Sequence, residues 1–282
     1  MYLGVEIGGT KLQFGVCDKQ GRLQSLRRVA VVRRGGRVKI MLQMSHEIQL
    51  LLGAHRVKAI GVGFGGPVDT EQGRVVKSHQ VAGWSGFKLR CWCEKEFGLP
   101  AIVQNDSKCA TLAEARVGAG RRQRVVFYTN IGTGIGGGLA VDGELYNGRF
   151  GSMEIGHTRV SVGPLPSAGE RQTPRGGTRP TTTLESVASG LAIERGVSSI
   201  EEAACWYGAA IANAITLLNP DVVVVGGGVS LAGARFWRPL RQTVRQHVFP
   251  PFRKNVKLVP AALGESVVVV GAALLAAERG HC

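Results

Sequence analysis

The sequence predicts an α/β protein, and three observations carry that reading. Strand-length apolar runs alternate with segments of helical spacing. A strand–glycine–strand unit occurs twice. The 282 residues suffice for two lobes or for one large α/β domain.

Tyr2–Ile7 alternates and stops at Gly8-Gly9, a tight turn, after which Lys11–Cys17 returns; this predicts a β-hairpin. A third strand is expected near Leu26–Val32. Ile40, Met44, Ile48 and Leu51 share one face of a helix over Ile40–Leu52. Ala59–Phe64 reads as a buried strand running into the breaker cluster Gly65-Gly66-Pro67. Phe87–Phe97 predicts a helix, Ala101–Gln104 a short strand, and Ser107–Val117 a helix with a polar cap. The second strand–glycine–strand unit spans Val125 to Val141. Ile131-Gly132 matches Ile7-Gly8, and Ala140-Val141-Asp142 matches Val16-Cys17-Asp18 at the same spacing, which indicates an internal repeat. Val162–Thr183 is rich in Gly, Pro, Arg and Thr and reads as an exposed, mobile loop. Order is expected to return at Leu184–Glu194. A helix over about Ile200–Leu218, a buried strand at Asp221–Val225 and the break Gly226-Gly227-Gly228 follow. A helix over Ala234–Val248, a strand near Lys257–Val259 and a helix over Glu265–Arg279 complete the chain.

Composition narrows the function. Thirty-five Lys and Arg against 20 Asp and Glu give a net charge of +15, a balance that suits nucleic acid, an anionic membrane surface or phosphorylated ligands. The basic residues are scattered, however, and aromatics make up only 6%, so neither nucleic acid nor a membrane is an expected partner. The six cysteines form neither an evenly spaced framework nor a CxxC pair, which argues for a reducing compartment. No signal peptide is visible, and runs such as Val222–Val225 and Val267–Val270 are far too short to cross a membrane. The expectation is a soluble, cytoplasmic protein.

Three glycine turns, three carboxylates and a histidine could carry chemistry. Gly8-Gly9-Thr10-Lys11 joins two strands, so it is neither a Walker loop nor a dinucleotide fingerprint. Its glycines would let backbone N–H groups approach phosphate oxygens, with Thr10 adding a hydroxyl and Lys11 a charge; a plain hairpin turn explains it equally. Gly132-Thr133-Gly134-Ile135-Gly136-Gly137-Gly138 repeats the device, and so many glycines weaken a strand without a purely structural return. Gly226–Gly228 could let a purine or ribose lie against the backbone, or simply turn strand into helix. Asn105-Asp106 follows a strand and precedes a helix. There a carboxylate could take a proton from an attacking hydroxyl, or could cap the helix. Glu154 and His157 stand three residues apart, suited to gripping adjacent hydroxyls or to forming a surface pair. Glu185 could accept one more hydroxyl or supply charge to a helix start.

Together these segments resemble the ROK family of repressors, open reading frames and sugar kinases. The resemblance rests on Val5-Glu6-Ile7-Gly8-Gly9-Thr10-Lys11, Gly61–Asp69, Asn105-Asp106 and Asn130–Gly138. It continues through Glu154-Ile155-Gly156-His157, Leu184–Gly190 and Asn219–Gly228. It implies a two-lobed actin/hexokinase-like (ribonuclease H-like) fold with a cleft between lobes. The lobes implied are 1–107, joined by a C-terminal helix over 265–282, and 108–264. It further implies ATP-dependent phosphorylation of a hexose or N-acetylhexosamine hydroxyl, with Asp106 as the catalytic base. Gly66, Asn105, Glu154, His157 and Glu185 would contact the sugar. Gly8, Gly9, Thr10, Lys11, Gly132, Thr133, Gly134 and Gly136 would lie near the ATP phosphates, and Gly227 and Gly228 by the adenosine. Mg²⁺ would arrive with ATP, and family members are often homodimers.

Two departures qualify the resemblance. Glu6 stands where the family usually has an Asp near the metal–phosphate site, so Glu6 would act on Mg²⁺ through water with altered reach. Many members also bind zinc through a cysteine cluster and the histidine of the Glu-x-x-His motif. Ser161–Thr183 contains no cysteine, so no structural zinc is expected. Two alternatives stay open: a catalytically weakened sugar- or nucleotide-binding member, and a sugar-responsive regulator. The first glycine hairpin lies at the start of the sequence, so the helix-turn-helix of the repressors is not expected.

Overall fold

A computed structural model describes residues 1–32, 34–78, 82–148, 153–161 and 181–279. Strands β1 (Tyr2–Ile7), β2 (Lys11–Cys17) and β3 (Leu23–Ala30) form an antiparallel meander, followed by helix α1 (Gly36–Ala54). Next come β4 (Ile60–Phe64), the short pair β5 (Val68–Asp69) and β6 (Arg74–Val75), α2 (Leu89–Phe97), β7 (Ala101–Asn105) and α3 (Asp106–Val117). The second half begins with β8 (Val125–Ile131), β9 (Ile135–Val141) and β10 (Glu144–Tyr146). A second short pair, β11 (Arg159–Ser161) and β12 (Thr181–Thr183), leads to α4 (Leu184–Ala188), α5 (Gly190–Glu194) and α6 (Ile200–Leu218). The chain continues through β13 (Val222–Gly226), α7 (Ala234–His247), β14 (Leu258–Pro260) and α8 (Val267–Arg279).

Two five-stranded sheets result, ordered β3-β2-β1-β4-β7 and β10-β9-β8-β13-β14. Counted among the strands of each sheet alone, both orders are third, second, first, fourth, fifth. The strand–glycine–strand repeat seen in the sequence is thus a repeat of topology as well. In the first sheet β1 pairs parallel with β4, and β4 with β7. In the second, β13 pairs parallel with β14, and β10 antiparallel with β9.

Several elements escape the periodicity. β10 and the pairs β5/β6 and β11/β12 are two or three residues long, too short to alternate visibly. Leu184–Glu194 divides into α4 and α5 because Ser189 leaves the helix and caps α5, accepting from Ala192 N at 3.2 Å. Residues 162–180 of the segment read as a mobile loop lie outside the described residues.

The described residues divide into two compact units, one drawn from 1–128, 138–152 and 261–282, the other from 129–137 and 153–260. In the first unit, strand alternation separates two unlike faces. Leu3, Val5, Ile7, Ile60, Val62 and Phe64 belong to a cluster with Ile40, Met44 and Ile48 of α1. The opposite face of β1 and β4 carries Gly4 and Gly61, and α8 lies directly on them. A Cβ on Gly4 would land on the carbonyl oxygen of Val269, and one on Gly61 on that of Ala272. On its other side α8 meets α3, where a Cβ on Gly271 would strike the Cys109 carbonyl. Backbone therefore touches backbone on both sides of the helix, which only glycine permits.

A buried carboxylate secures the connections around α3. Glu114 accepts from the backbone N–H groups of Ala262 and Leu263, each at 2.9 Å, and of Ala119 at 2.7 Å. Three donors satisfy a charge that burial would otherwise penalise. In the second unit α6 starts on a capping box. Ser199 Oγ accepts from Glu202 N, and Glu202 Oε2 accepts from Ser199 N at 2.8 Å. Among the described residues no helix is long and apolar enough to cross a membrane.

The glycine face makes a sharp prediction. Gly61→Ala should destabilise the protein by about 3 kcal/mol in urea unfolding, through overpacking against a helix backbone. Gly53→Ala, where a Cβ on α1 meets nothing within 4 Å, should instead raise stability by about 0.5 kcal/mol. Equal midpoints for the two variants would contradict the packing.

Candidate functional site

In the first unit the chemistry-bearing side chains gather at the C-terminal ends of β1, β4 and β7, as strand order in an open α/β sheet dictates. β7 ends at Asn105 and α3 starts at Asp106. The cap of α3 is Asn105: its Oδ1 accepts from Lys108 N at 3.2 Å, with extended φ and ψ of −64° and 144°. Of the two roles open to Asp106 in the sequence, the capping bond belongs to its neighbour. Asp106 Oδ1 accepts instead from Asn105 Nδ2 at 3.0 Å, Ser107 N at 2.7 Å and Ser107 Oγ at 3.3 Å. Asn105 Nδ2 also donates to the Gly66 carbonyl at 3.2 Å, so Gly66, Asn105 and Asp106 are brought together.

Beneath them lies a residue that sequence reading passed over. Gln104 is buried; its Oε1 accepts from Asn105 N at 2.8 Å and from Thr70 Oγ1 at 3.2 Å, and its Nε2 donates to Asn147 Oδ1 at 3.1 Å. An alternating strand offers no sign that a glutamine at its end is enclosed, so the sequence held no usable signal.

The first glycine turn closes with Gly8 N donating to the Lys11 carbonyl at 3.1 Å. Gly8 and Gly9 are half-buried and Thr10 is exposed. Glu6, on β1, is 9% exposed and stands opposite Gln13 in the hairpin register. Gln13 Nε2 donates to Glu6 Oε2 and to the Glu265 carbonyl, while Gln13 Oε1 accepts from Arg28 Nε at 2.9 Å. Lys11 Nζ reaches Glu6 Oε2 only at 3.9 Å. Counting back from the predicted turn places Gln13 across from Glu6, so this partner was available to sequence reading. Burial lifts the Glu6 carboxyl from 4.5 to about 7, against the pull of Lys11, the Gln13 bond and Arg28; the nearby Asp106 charge adds to the rise.

The second unit holds the other predicted residues. Gly132 N donates to the Gly134 carbonyl at 2.9 Å, and the Gly132 carbonyl accepts from Gly190 N at 2.7 Å. Glu185, in the first turn of α4, accepts from Ile135 N at 2.8 Å through Oε2, which ties α4 to the hairpin. Glu154 and His157 flank a single 3₁₀ turn packed on Ile135; both are exposed, and His157 N donates to the Glu154 carbonyl at 3.0 Å. Thr133 is exposed and Gly136 half-buried, the latter with its carbonyl accepting from Thr129 Oγ1 at 2.8 Å. Gly227 adopts φ +89° and presses on the Ile131 backbone, a conformation and approach that favour glycine. At Gly132 and Gly228 a Cβ would meet nothing within 4 Å, so both backbones are open to approach.

Among the described residues no group of three or more His, Cys, Asp or Glu could hold a metal ion. Cys17, Cys93 and Cys109 are buried free thiols. Burial pushes Cys17 up to about 12 and the other two upward as well, which keeps them inert.

The chain matches the ROK family over residues 2–205 and 194–279. It is 30% identical over 311 residues to a glucokinase of Streptomyces coelicolor, covering 98% of this chain and 97% of that protein. It is 28% identical over 304 residues to an N-acetyl-D-glucosamine kinase of Vibrio cholerae, covering 98% and 99%. The structure of a ROK family glucokinase from Streptomyces griseus, solved with glucose and AMPPNP, matches with a TM-score of 0.81. The identity is 30%, with 98% of this chain and 99% of that one covered.

The buried Glu6 sets a pH dependence. In the unfolded chain this group ionises near 4.5, whereas the fold holds its proton to about 7. Its contribution to stability is therefore highest below 4.5 and declines as pH rises to 7. In metal-free buffer Glu6→Gln, which keeps an acceptor for Gln13, should flatten that decline. At pH 8 it should gain on the order of 2 kcal/mol over the parent in urea unfolding. Parallel pH–stability curves for the two proteins would refute the assignment.

Proposed function

Since the chain belongs to the ROK family and is a sugar kinase with the actin-like, two-lobed fold of the ROK hexokinases, we propose the following reaction. A hydroxyl of a hexose or N-acetylhexosamine attacks the γ-phosphorus of ATP, and Asp106 takes the hydroxyl proton. The new O–P bond forms as the bond to the β-phosphate oxygen breaks, and ADP leaves. The relatives named glucokinase and N-acetyl-D-glucosamine kinase support sugar phosphorylation and leave the choice between these sugars to experiment.

One observation carries the role of Asp106. At the β7–α3 junction the helix cap is supplied by Asn105, so the helix end does not require the Asp106 side chain as its capping residue. Contacts from Asn105 Nδ2 and Ser107 orient that carboxylate. Such orientation is what a general base needs, because phosphoryl transfer depends mainly on positioning. Gly66, Asn105, Glu154, His157 and Glu185 would contact sugar hydroxyls. The hydrogen bond from Ile135 N occupies Glu185 Oε2 and would hold that side chain in place.

For the nucleotide, Gly8–Lys11 and Gly132–Gly136 would approach the phosphates, with Gly227 and Gly228 beside the adenosine. The open backbones at Gly132 and Gly228 support this. A divalent cation would meet the carboxylates of Glu6 and Asp106 near the end of β1, where the Asp106 charge adds to the rise of the Glu6 carboxyl. A cation between phosphates and protein would relieve that repulsion. Glu6 would hold Mg²⁺ through water, and the ion would neutralise charge on the phosphate oxygens.

A second reading, a member that binds nucleotide and turns over weakly, is favoured by one feature. Glu6 stands where the family usually has an Asp, and its Oε2 already accepts from the Gln13 amide, which leaves less of the carboxylate for a cation.

Coupled ADP release over a panel of glucose, mannose, N-acetylglucosamine and N-acetylmannosamine tests the proposal. Asp106→Asn should lower kcat by about 10²–10⁴-fold with little change in sugar KM. An unchanged kcat would remove Asp106 from the mechanism. ATP binding without turnover on any sugar by the parent protein would favour the second reading.

A further inference from the structure

The sugar-kinase reading leaves the strong positive charge without a use. Part of that charge is organised in the second unit. From Val222 to Gly264 the sequence holds seven Arg and Lys and no Asp or Glu. Arg235 is paired with Glu201 at 2.7 Å. Arg238, Arg241, Arg245, Arg253 and Lys254 are all exposed, and among the described residues none of them forms an ion pair. On α7 the spacing of Arg238, Arg241 and Arg245 places them along one side of the helix, while Phe236, Leu240 and Val244 are buried on the other. Arg241 lies over the Trp237 ring, 4.9 Å from its centroid.

Beside this stripe is an apolar tip. Phe249 is 48% exposed and stacks edge-on with Phe252, centroids 5.3 Å apart, across Pro250-Pro251. Phe249 N donates to Thr216 Oγ1 at 3.2 Å, which fixes the tip against the end of α6, where Leu217 is 83% exposed. Arg245 and Arg253 flank Phe249 four residues away on either side in the sequence, and a water-facing leucine and phenylalanine are unfavourable in solution unless something covers them.

We infer that this face of α7 and the α6 end is a docking surface for an anionic lipid membrane, which the protein meets peripherally. The cations match acidic headgroups, and their long stems let the charge stay at headgroup depth while Leu217 and Phe249 enter the acyl boundary. A second copy of the chain fits less well, because a self-complementary contact would set arginine against arginine in a segment with no acid. Nucleic acid would satisfy the cations and could stack on Phe249, but it offers no place for Leu217.

The test is co-sedimentation of the full chain with phosphatidylcholine vesicles, with and without phosphatidylserine. Binding to the phosphatidylserine vesicles, weakened by salt, and little binding to the neutral ones is expected. Arg241→Glu with Arg245→Glu should weaken it by about 10-fold or more. Leu217→Ser with Phe249→Ser should weaken it several-fold while the salt dependence persists. Kinase turnover in solution, retained in both double variants, shows that they fold. Equal affinity for both vesicle types, or no binding to either, would overturn the inference. So would tighter binding to a random DNA duplex than to the anionic vesicles. A fall in sedimenting mass for the Leu217/Phe249 variant would overturn it in favour of self-association.

Discussion

The first unit depends on the fit of α8 between the glycines of a sheet and the backbone of another helix. Gly4 and Gly61 remove the side chains that would hold α8 away from β1 and β4, and Gly271 lets α3 approach it from the other side. Close approach of this kind maximises dispersion contacts and leaves no slack, because there are no side-chain ends to shift. The consequence reaches the site directly. α3 begins at Asp106, β4 leads toward Gly66, and β1 carries Glu6. The positions of all three are set by elements that α8 touches.

Two buried glutamates of this unit illustrate how local partners decide what a carboxylate does. Glu114 has three backbone N–H donors aimed at its oxygens and acts as a fixed knot between α3, the turn after it and the approach to α8. Glu6 has one glutamine donor and a distant lysine, so burial dominates and its proton is held to about 7. The first arrangement is structural and satisfied. The second leaves a carboxyl that responds to any charge placed near it, which is why it belongs with the candidate site.

Much of this was legible in the sequence, and the reasons are specific. Tyr2–Cys17 announced a hairpin because its apolar residues alternate around two glycines, and the same pattern at Val125–Val141 announced the repeat that the identical strand orders display. Ile40, Met44, Ile48 and Leu51 marked α1 correctly, since a helix buried on one face must space its apolar residues that way. The pairing of Asn105 with Asp106 was visible; which of them caps α3 was not, because both side chains suit the position and only geometry separates them. The enclosure of Gln104 and the three donors on Glu114 were also invisible. Both depend on backbone brought from distant parts of the chain, which spacing along one element does not encode. The glycines of β1 and β4 could be read only as weak points in strands, until α8 supplied the reason for them.

The first unit is assembled from both ends of the chain, whereas most of the second lies in one continuous stretch, 153–260. β1 is Tyr2–Ile7, yet the helix that covers its glycine face, Val267–Arg279, lies on the far side of that whole stretch in the sequence. Without residues 267–279, the face that carries Gly4 and Gly61 would lose the helix that covers it. A chain lacking α8 would therefore leave the first unit unfinished while the continuous stretch of the second is intact.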